Sequence, residues 1–134
     1  MKVVFTSQGK DLDSPLDPRF GRCAYFLVVD TEDLSFEAME NPAARGAQGA
    51  GVYASQLVVQ TGAEAVVTGN IGPKALVVLQ MAGIKVYRGS EGTIRENLEL
   101  FRQGKLPELT EATVSSHAGM GKGMGRGLGG RWPF

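Results

Sequence analysis

Ala65-Val66-Val67-Thr68-Gly69-Asn70-Ile71-Gly72-Pro73-Lys74-Ala75-Leu76-Val77-Val78-Leu79-Gln80-Met81-Ala82-Gly83-Ile84-Lys85-Val86-Tyr87 reads as a strand, a helix and a second strand in succession. Ala65 to Thr68 is a short apolar run of the kind that forms a buried strand. Gly69 to Gly72 interrupts it. Pro73 in the first helical turn and Gly83 just past the last bracket a helix over residues 74–82. Ile84 to Tyr87 then returns to strand character. Two parallel strands need a crossover of this kind, so the stretch predicts an α/β sheet.

The unit extends both ways. Downstream, Thr93 and Glu96 have capping-box spacing, Ile94, Leu98 and Phe101 share one helical face, and Gly104 stops a third helix. Upstream, Val52, Ala54, Ser55, Leu57, Val58 and Val59 fit one face of a helix over about 51–61, ended by Gly62. Before residue 41 the pattern is that of strands. Val3-Val4-Phe5 is a buried strand stopping at the turn Thr6 to Gly9, and Ala24 to Asp30 is the strongest strand in the chain. After the turn Thr31-Glu32-Asp33, Ser35 to Glu40 alternates imperfectly, as a half-exposed edge strand does. Residues 10–22 hold Pro15 and Pro18 with Asp11, Asp13 and Asp17 and form a structured loop.

The predicted order is β-β-β-α-β-α-β-α. Right-handed crossovers make the first, fourth and fifth strands parallel, and the hairpin lies on the other side. The result is a five-stranded mixed sheet of order 3-2-1-4-5, with three helices and a switch point between the first and fourth strands.

Composition divides the chain in two. Of its 134 residues 19 are glycine, and seven of these fall between Gly119 and Gly130. Residues 1–111 carry a net charge of about −3 and residues 112–134, with Lys122, Arg126 and Arg131 and no acid, about +3. The expected organisation is an α/β domain over 1–111 and a flexible Gly/Met-rich tail over 112–134. The folded part lacks the basic stripe of a nucleic-acid binder. The amino-terminal apolar stretch is too short for a signal peptide or membrane span, so the expected location is cytoplasmic, with no membrane partner. A single cysteine, Cys23, excludes an intrachain disulfide and a four-cysteine metal site.

Ligands in open α/β sheets favour the carboxyl ends of strands at a switch point. The predicted topology gathers four irregular segments on that rim: Ser7 to Gly9, Arg19 to Cys23, the glycine loop Gly46 to Gly51, and Gly69 to Pro73. Two glycine-rich loops opening helices deliver backbone N–H groups and positive dipole ends, and Arg19 and Arg22 add charge, which is a recipe for binding anions. Neither loop matches a dinucleotide or P-loop pattern, and the same glycines also suit tight αβ connections.

Asp11, Asp13 and Asp17 are spaced like oxygen ligands. They lack the central glycine and terminal glutamate of a calcium loop and suit turns better. The first strand has no carboxylate for a two-metal nuclease. Cys23 lies beside two arginines that favour a thiolate, against which stands the ordinary role of a small buried hydrophobe. His117, Met120 and Met124 make a soft donor series suited to copper(I), against the reading of incidental residues in a glycine-rich tail. The single histidine lies in that tail, and no G-x-S-x-G elbow exists, so no Ser-His-Asp triad is available.

S-Q-G-K-D-L-D-S-P-L-D-P-R-F-G-R-C-A-Y-F-L-V-V-D, the later E-N-P and G-A-G, T-G-N-I-G-P-K-A and A-G-I-K-V-Y-R-G together resemble the dinitrogenase iron-molybdenum cofactor biosynthesis family. The likeness covers about residues 1–110, and D-x-R-F-G-R-A/C-x-Y-F is its specific part. The family includes NifX-like carriers, the carboxyl-terminal domain of NifB and free-standing proteins of the orange-protein type. The resemblance implies a ribonuclease-H-like fold and a non-enzymatic carrier of a preassembled metal–sulfur cluster containing molybdenum with iron or copper. It implies cluster donor or acceptor proteins as partners. Nitrogenase-associated members carry histidine before the Phe-Gly pair where this chain has Arg19, so holding by charge, or through Cys23, replaces imidazole ligation.

The expected cluster-binding residues are therefore Ser7, Arg19, Phe20, Gly21, Arg22, Gly49, Gly51, Gly69, Asn70 and Gly72. Cys23, His117, Met120 and Met124 are candidate metal ligands. The competing reading is an adaptor or regulatory domain whose rim binds a protein partner or a small anion such as a nucleotide, without metal. The exposed edge strand permits a monomer or a weak dimer.

Overall fold

The computed structural model describes residues 1–44 and 49–114. Its elements are β1 (Lys2–Ser7), β2 (Tyr25–Asp30), β3 (Phe36–Glu40), α1 (Ala50–Gln60), β4 (Ala65–Thr68), α2 (Pro73–Met81), β5 (Lys85–Arg88) and α3 (Ile94–Arg102). The sheet order is β3-β2-β1-β4-β5. β1 pairs antiparallel with β2 and parallel with β4, and β4 is parallel to β5. This is the five-stranded mixed sheet that the residue pattern predicts and the ribonuclease-H-like arrangement that the family resemblance implies.

The strand period of two divides the core into two layers of contact. Val4, Phe26, Val66 and Val86 face one way and pack against Ala54 and Val58 of α1 and Ala75, Leu76 and Leu79 of α2. Val3, Phe5, Leu27, Val29 and Val67 face the other way, against Ile94 and Leu98 of α3 and Leu12 and Leu16 of the long loop. Full burial of each of these Val, Leu, Ile and Phe side chains contributes about 1.5–3 kcal/mol. β4 is buried at every position, which is why its sequence is an unbroken apolar run. β3 is mostly exposed, as an edge strand should be.

The boundaries differ from the sequence reading in one instructive place. β1 does not stop at Phe5 but continues through Thr6 and Ser7, both fully buried. Their hydroxyls are satisfied internally, which makes burial tolerable. Thr6 Oγ1 donates to the Asp17 carbonyl at 2.6 Å and shares a hydrogen bond with Thr68 Oγ1 at 2.9 Å. Ser7 Oγ donates to the Gly9 carbonyl at 2.7 Å and accepts from Gly9 N–H at 3.1 Å.

The loop over residues 10–22 is laid along the end of the sheet. Asp17 N–H donates to the Thr6 carbonyl at 2.8 Å, and Leu16 N–H to the Gly92 carbonyl at 2.8 Å. The three aspartates of this loop each hold local structure. Asp11 Oδ1 accepts from Asp13 N–H and Ser14 Oγ, Asp13 pairs with Arg95 at 2.9 Å, and Asp17 pairs with Arg19 at 3.1 Å. They are turn and ion-pair residues rather than a metal cluster.

Candidate functional site

At the switch point the chain leaves β1 toward β2 and leaves β4 toward β5, and three segments close over the gap. The first is the loop before β2. It is stitched to the loop after β4 by Asn70 N–H donating to the Pro18 carbonyl at 2.7 Å and Phe20 N–H to the Asn70 carbonyl at 3.3 Å. Gly69 makes this approach possible, because a Cβ there would stand 2.7 Å from Pro18 Cα. Gly21 does the same toward α1, where a Cβ would meet Gly51 N and Cα at 2.9 Å. A Cβ on Gly51 would in turn lie 3.4 Å from Ala75 Cβ on α2. The first turns of α1 and α2 therefore stand side by side, with the segment 18–21 across them.

Amides in the first turn of a helix have no intrahelical acceptor, and each N-terminus carries roughly half a positive charge. Gly49 caps α1 at φ +79°, where a Cβ would cost about 1–2 kcal/mol. Gly72 caps α2 in extended backbone, and Pro73 begins the helix. Neither cap uses a side-chain hydrogen bond and neither first turn holds an acid. α2 even places Lys74 there, against its own dipole, which concentrates positive charge at this end.

Arg19 departs from the sequence expectation. Its Nε donates to Asp17 Oδ1 and its Nη2 to Asp17 Oδ2, both at 3.1 Å, while its backbone N–H donates to the same Oδ1 at 3.0 Å. The Asp17 side chain is buried, so this carboxylate neutralises Arg19 at the edge of the rim. The guanidinium remains half exposed, and the pair uses two of its five donors. Arg22 is exposed on the next turn of the loop.

Other residues expected at the site lie beneath it. Phe20 is 2% exposed and packs on Phe26 with ring centroids 6.0 Å apart, so it anchors the loop in the core. Ser7 is fully buried and serves its own turn. The expectation that neighbouring arginines favour a Cys23 thiolate does not hold. Cys23 is fully buried, with Sγ 3.4 Å from the Phe20 carbonyl, and the loss of hydration on burial pushes the thiol well above its usual range. As folded it is a core residue. His117, Met120 and Met124 lie outside the described residues. Among the described residues, no group of three or more His, Cys, Asp or Glu is placed to hold a metal ion.

Four structural roles go beyond the sequence reading, which names Asp17 as a turn residue and Asn70 as a rim residue without these contacts. Asp17 is the rim's buried counter-charge. Asn41 pins the loop from below, its Nδ2 donating to the Gly21 carbonyl at 3.1 Å and the Cys23 carbonyl at 2.9 Å. Asn70 is buried, and its Oδ1 has no hydrogen-bond partner among the described residues. Thr113 and Val114, read as part of the tail, are bonded to the rim: Ile71 N–H donates to Thr113 Oγ1 at 2.8 Å, and Thr113 N–H to the Ile71 carbonyl at 3.0 Å. The turn-forming Asp-Pro and Asn-Pro pairs were the available signals for Asp17 and Asn41. The other two depend on contacts between distant segments.

The fold and this rim define a small α/β domain that gathers two helix N-termini and a glycine-bearing loop at a sheet switch point. The chain belongs to the dinitrogenase iron-molybdenum cofactor family, whose model matches residues 1–104, and its role is related to that cofactor. It is 39% identical over 97 residues to an uncharacterised protein of Methanocaldococcus jannaschii, covering 70% of this chain and 82% of that one. It is similar in structure to the apo form of the orange protein from Desulfovibrio gigas, with 38% identity, a TM-score of 0.81, and 84% and 96% of the two chains covered. A NifB-like protein from Thermotoga is 41% identical, with a TM-score of 0.75 and 84% and 97% coverage. No helix among the described residues is long and apolar enough to cross a membrane.

Proposed function

We propose that the chain is a non-enzymatic carrier that holds a preassembled anionic metal–sulfur cluster, containing molybdenum with iron or copper, on the rim formed by the first turns of α1 and α2. The observation that carries this reading is the contact of those two turns across Gly51 and Ala75, with Gly21 keeping the loop backbone against them. Sulfide-rich clusters are anions, and paired N-termini offer N–H groups and positive potential without covalent ligands.

Gly49, Gly51, Gly69, Gly72, Arg19 and Arg22 frame the site, and Lys74 adds charge. Asn70 supports the same reading. An amide left with an unpaired buried oxygen costs about 1–3 kcal/mol. Rotation of the amide would present Nδ2 as a donor to a bound sulfide. Cargo held by charge and N–H contacts can be passed on intact, which suits transfer between cluster donor and acceptor proteins.

The test is reconstitution with tetrathiomolybdate and copper(I), followed by desalting, molybdenum analysis and visible spectroscopy. Wild-type protein is expected to retain molybdenum. The surface double variant Arg22→Glu, Lys74→Glu is expected to lose at least about tenfold in affinity, the equivalent of 1.4 kcal/mol. A wild-type chain that retains no molybdenum, or a double variant that retains as much, overturns the proposal. Binding of nucleotide with no affinity for thiomolybdate would favour the metal-free adaptor instead.

A further inference from the structure

A surface helix normally shows water a charged face. α3 does, with Arg95, Glu96, Glu99 and Arg102 among its nine residues. α1 and α2 do not. Over their eleven and nine residues, Lys74 is the sole charged side chain. Their outward surface exposes Tyr53, Val59, Val77 and Met81, the last 83% exposed. Between the two helices runs a groove of about 440 Å³ lined by Gln56, Val59, Gln60, Val78, Met81 and Ala82, without a charge. That volume falls within the range of sites that hold ligands or side-chain anchors.

The rest of the chain carries a segment suited to it. Residues 115–134 are rich in glycine, with bulky apolar side chains in Leu128, Trp132 and Phe134. Arg131-Trp132-Pro133-Phe134 puts two aromatic rings on either side of a proline. Burial of one such ring removes about 150–250 Å² from water. The segment starts close by, because Thr113 and Val114 are bonded to Ile71 at the N-terminal end of α2. α2 is about 13 Å long from that end to Met81. A glycine-rich chain spanning the eighteen residues from Val114 to Trp132 has a root-mean-square reach of about 21–25 Å, so the segment meets the groove at high effective concentration.

We propose that Trp132-Pro133-Phe134 docks within the same chain into the α1–α2 groove, covering Val59, Val78 and Met81. The inference is independent of what the rim binds.

Trp132 is the sole tryptophan, so its fluorescence reads its surroundings directly. In the full chain its emission is expected at shorter wavelength than in the guanidinium-unfolded chain, and to be unchanged on hundredfold dilution. Val59→Glu and Met81→Glu alter exposed positions and are expected to shift emission to the unfolded position while far-UV circular dichroism stays constant. Native emission already at the unfolded position overturns the proposal, as does emission indifferent to both substitutions. A short-wavelength emission that is lost on dilution overturns it too, since it would place the segment on a second copy.

Discussion

Enclosed between the Phe20 carbonyl and the Asn41 amide, Cys23 keeps its proton far above the usual thiol range because a thiolate there would lose its hydration. The unfolded chain gives up this proton near pH 8.5 and the folded chain does not, so the stabilisation is complete below that pH and is lost as pH rises toward the folded value. Between pH 9 and 10, wild-type protein is expected to lose up to about 1.4 kcal/mol more than Cys23→Ala. Urea denaturation of both chains at pH 7, 9 and 10 measures the difference, and parallel curves would contradict it. The arginines near Cys23 in sequence mislead because charge proximity along a chain says nothing about burial. Arg19 is likewise legible as a rim residue, while its neutralisation by Asp17 emerges only when Asp17 is buried beneath it.

At the level of elements, caps and breaks were the readable features. Thr93 and Glu96 form the capping box that their spacing predicts, with Thr93 Oγ1 accepting from Glu96 N–H at 3.1 Å. Pro73 opens α2 and Gly83, at φ +78°, follows its end. These signals are local, so sequence carries them. The extension of β1 through Thr6 and Ser7 was hidden, because polar residues become strand interior only when partners such as Asp17 and Thr68 arrive from elsewhere. The joint between the loop before β2 and α1 is of the same kind, and Gly21 holds it. Gly21→Ala forces a Cβ to within 2.9 Å of the Gly51 backbone. It is expected to cost about 1–3 kcal/mol in urea denaturation and to weaken thiomolybdate retention. An unchanged midpoint would show that α1 and the loop are not held in this contact.

Across the whole molecule, the strand order and switch point were legible because alternating strands and helices leave few permitted topologies. The switch point in turn located Gly21, Gly51 and Gly69 on one rim. What sequence could not supply was the function of each glycine there. They are positions of close approach that bring two helix N-termini together, and the cluster site is the proposed use of that junction. The route of residues 107–114 was also unread: Arg88 N–H donates to the Pro107 carbonyl and Leu109 N–H to the Val86 carbonyl before Thr113 reaches Ile71.

The proposed carrier function puts the cluster on the rim. Its most direct test is a ¹H–¹⁵N correlation spectrum of the full chain titrated with tetrathiomolybdate and copper(I). The amides of Arg19 to Arg22, Gly49 to Val52, Gly69 to Gly72, Lys74 and Ala75, together with the Asn70 side-chain amide, are predicted to shift together and saturably. Shifts confined to other surfaces, or the absence of any saturable shift on the rim, would rule out the rim as the cluster site.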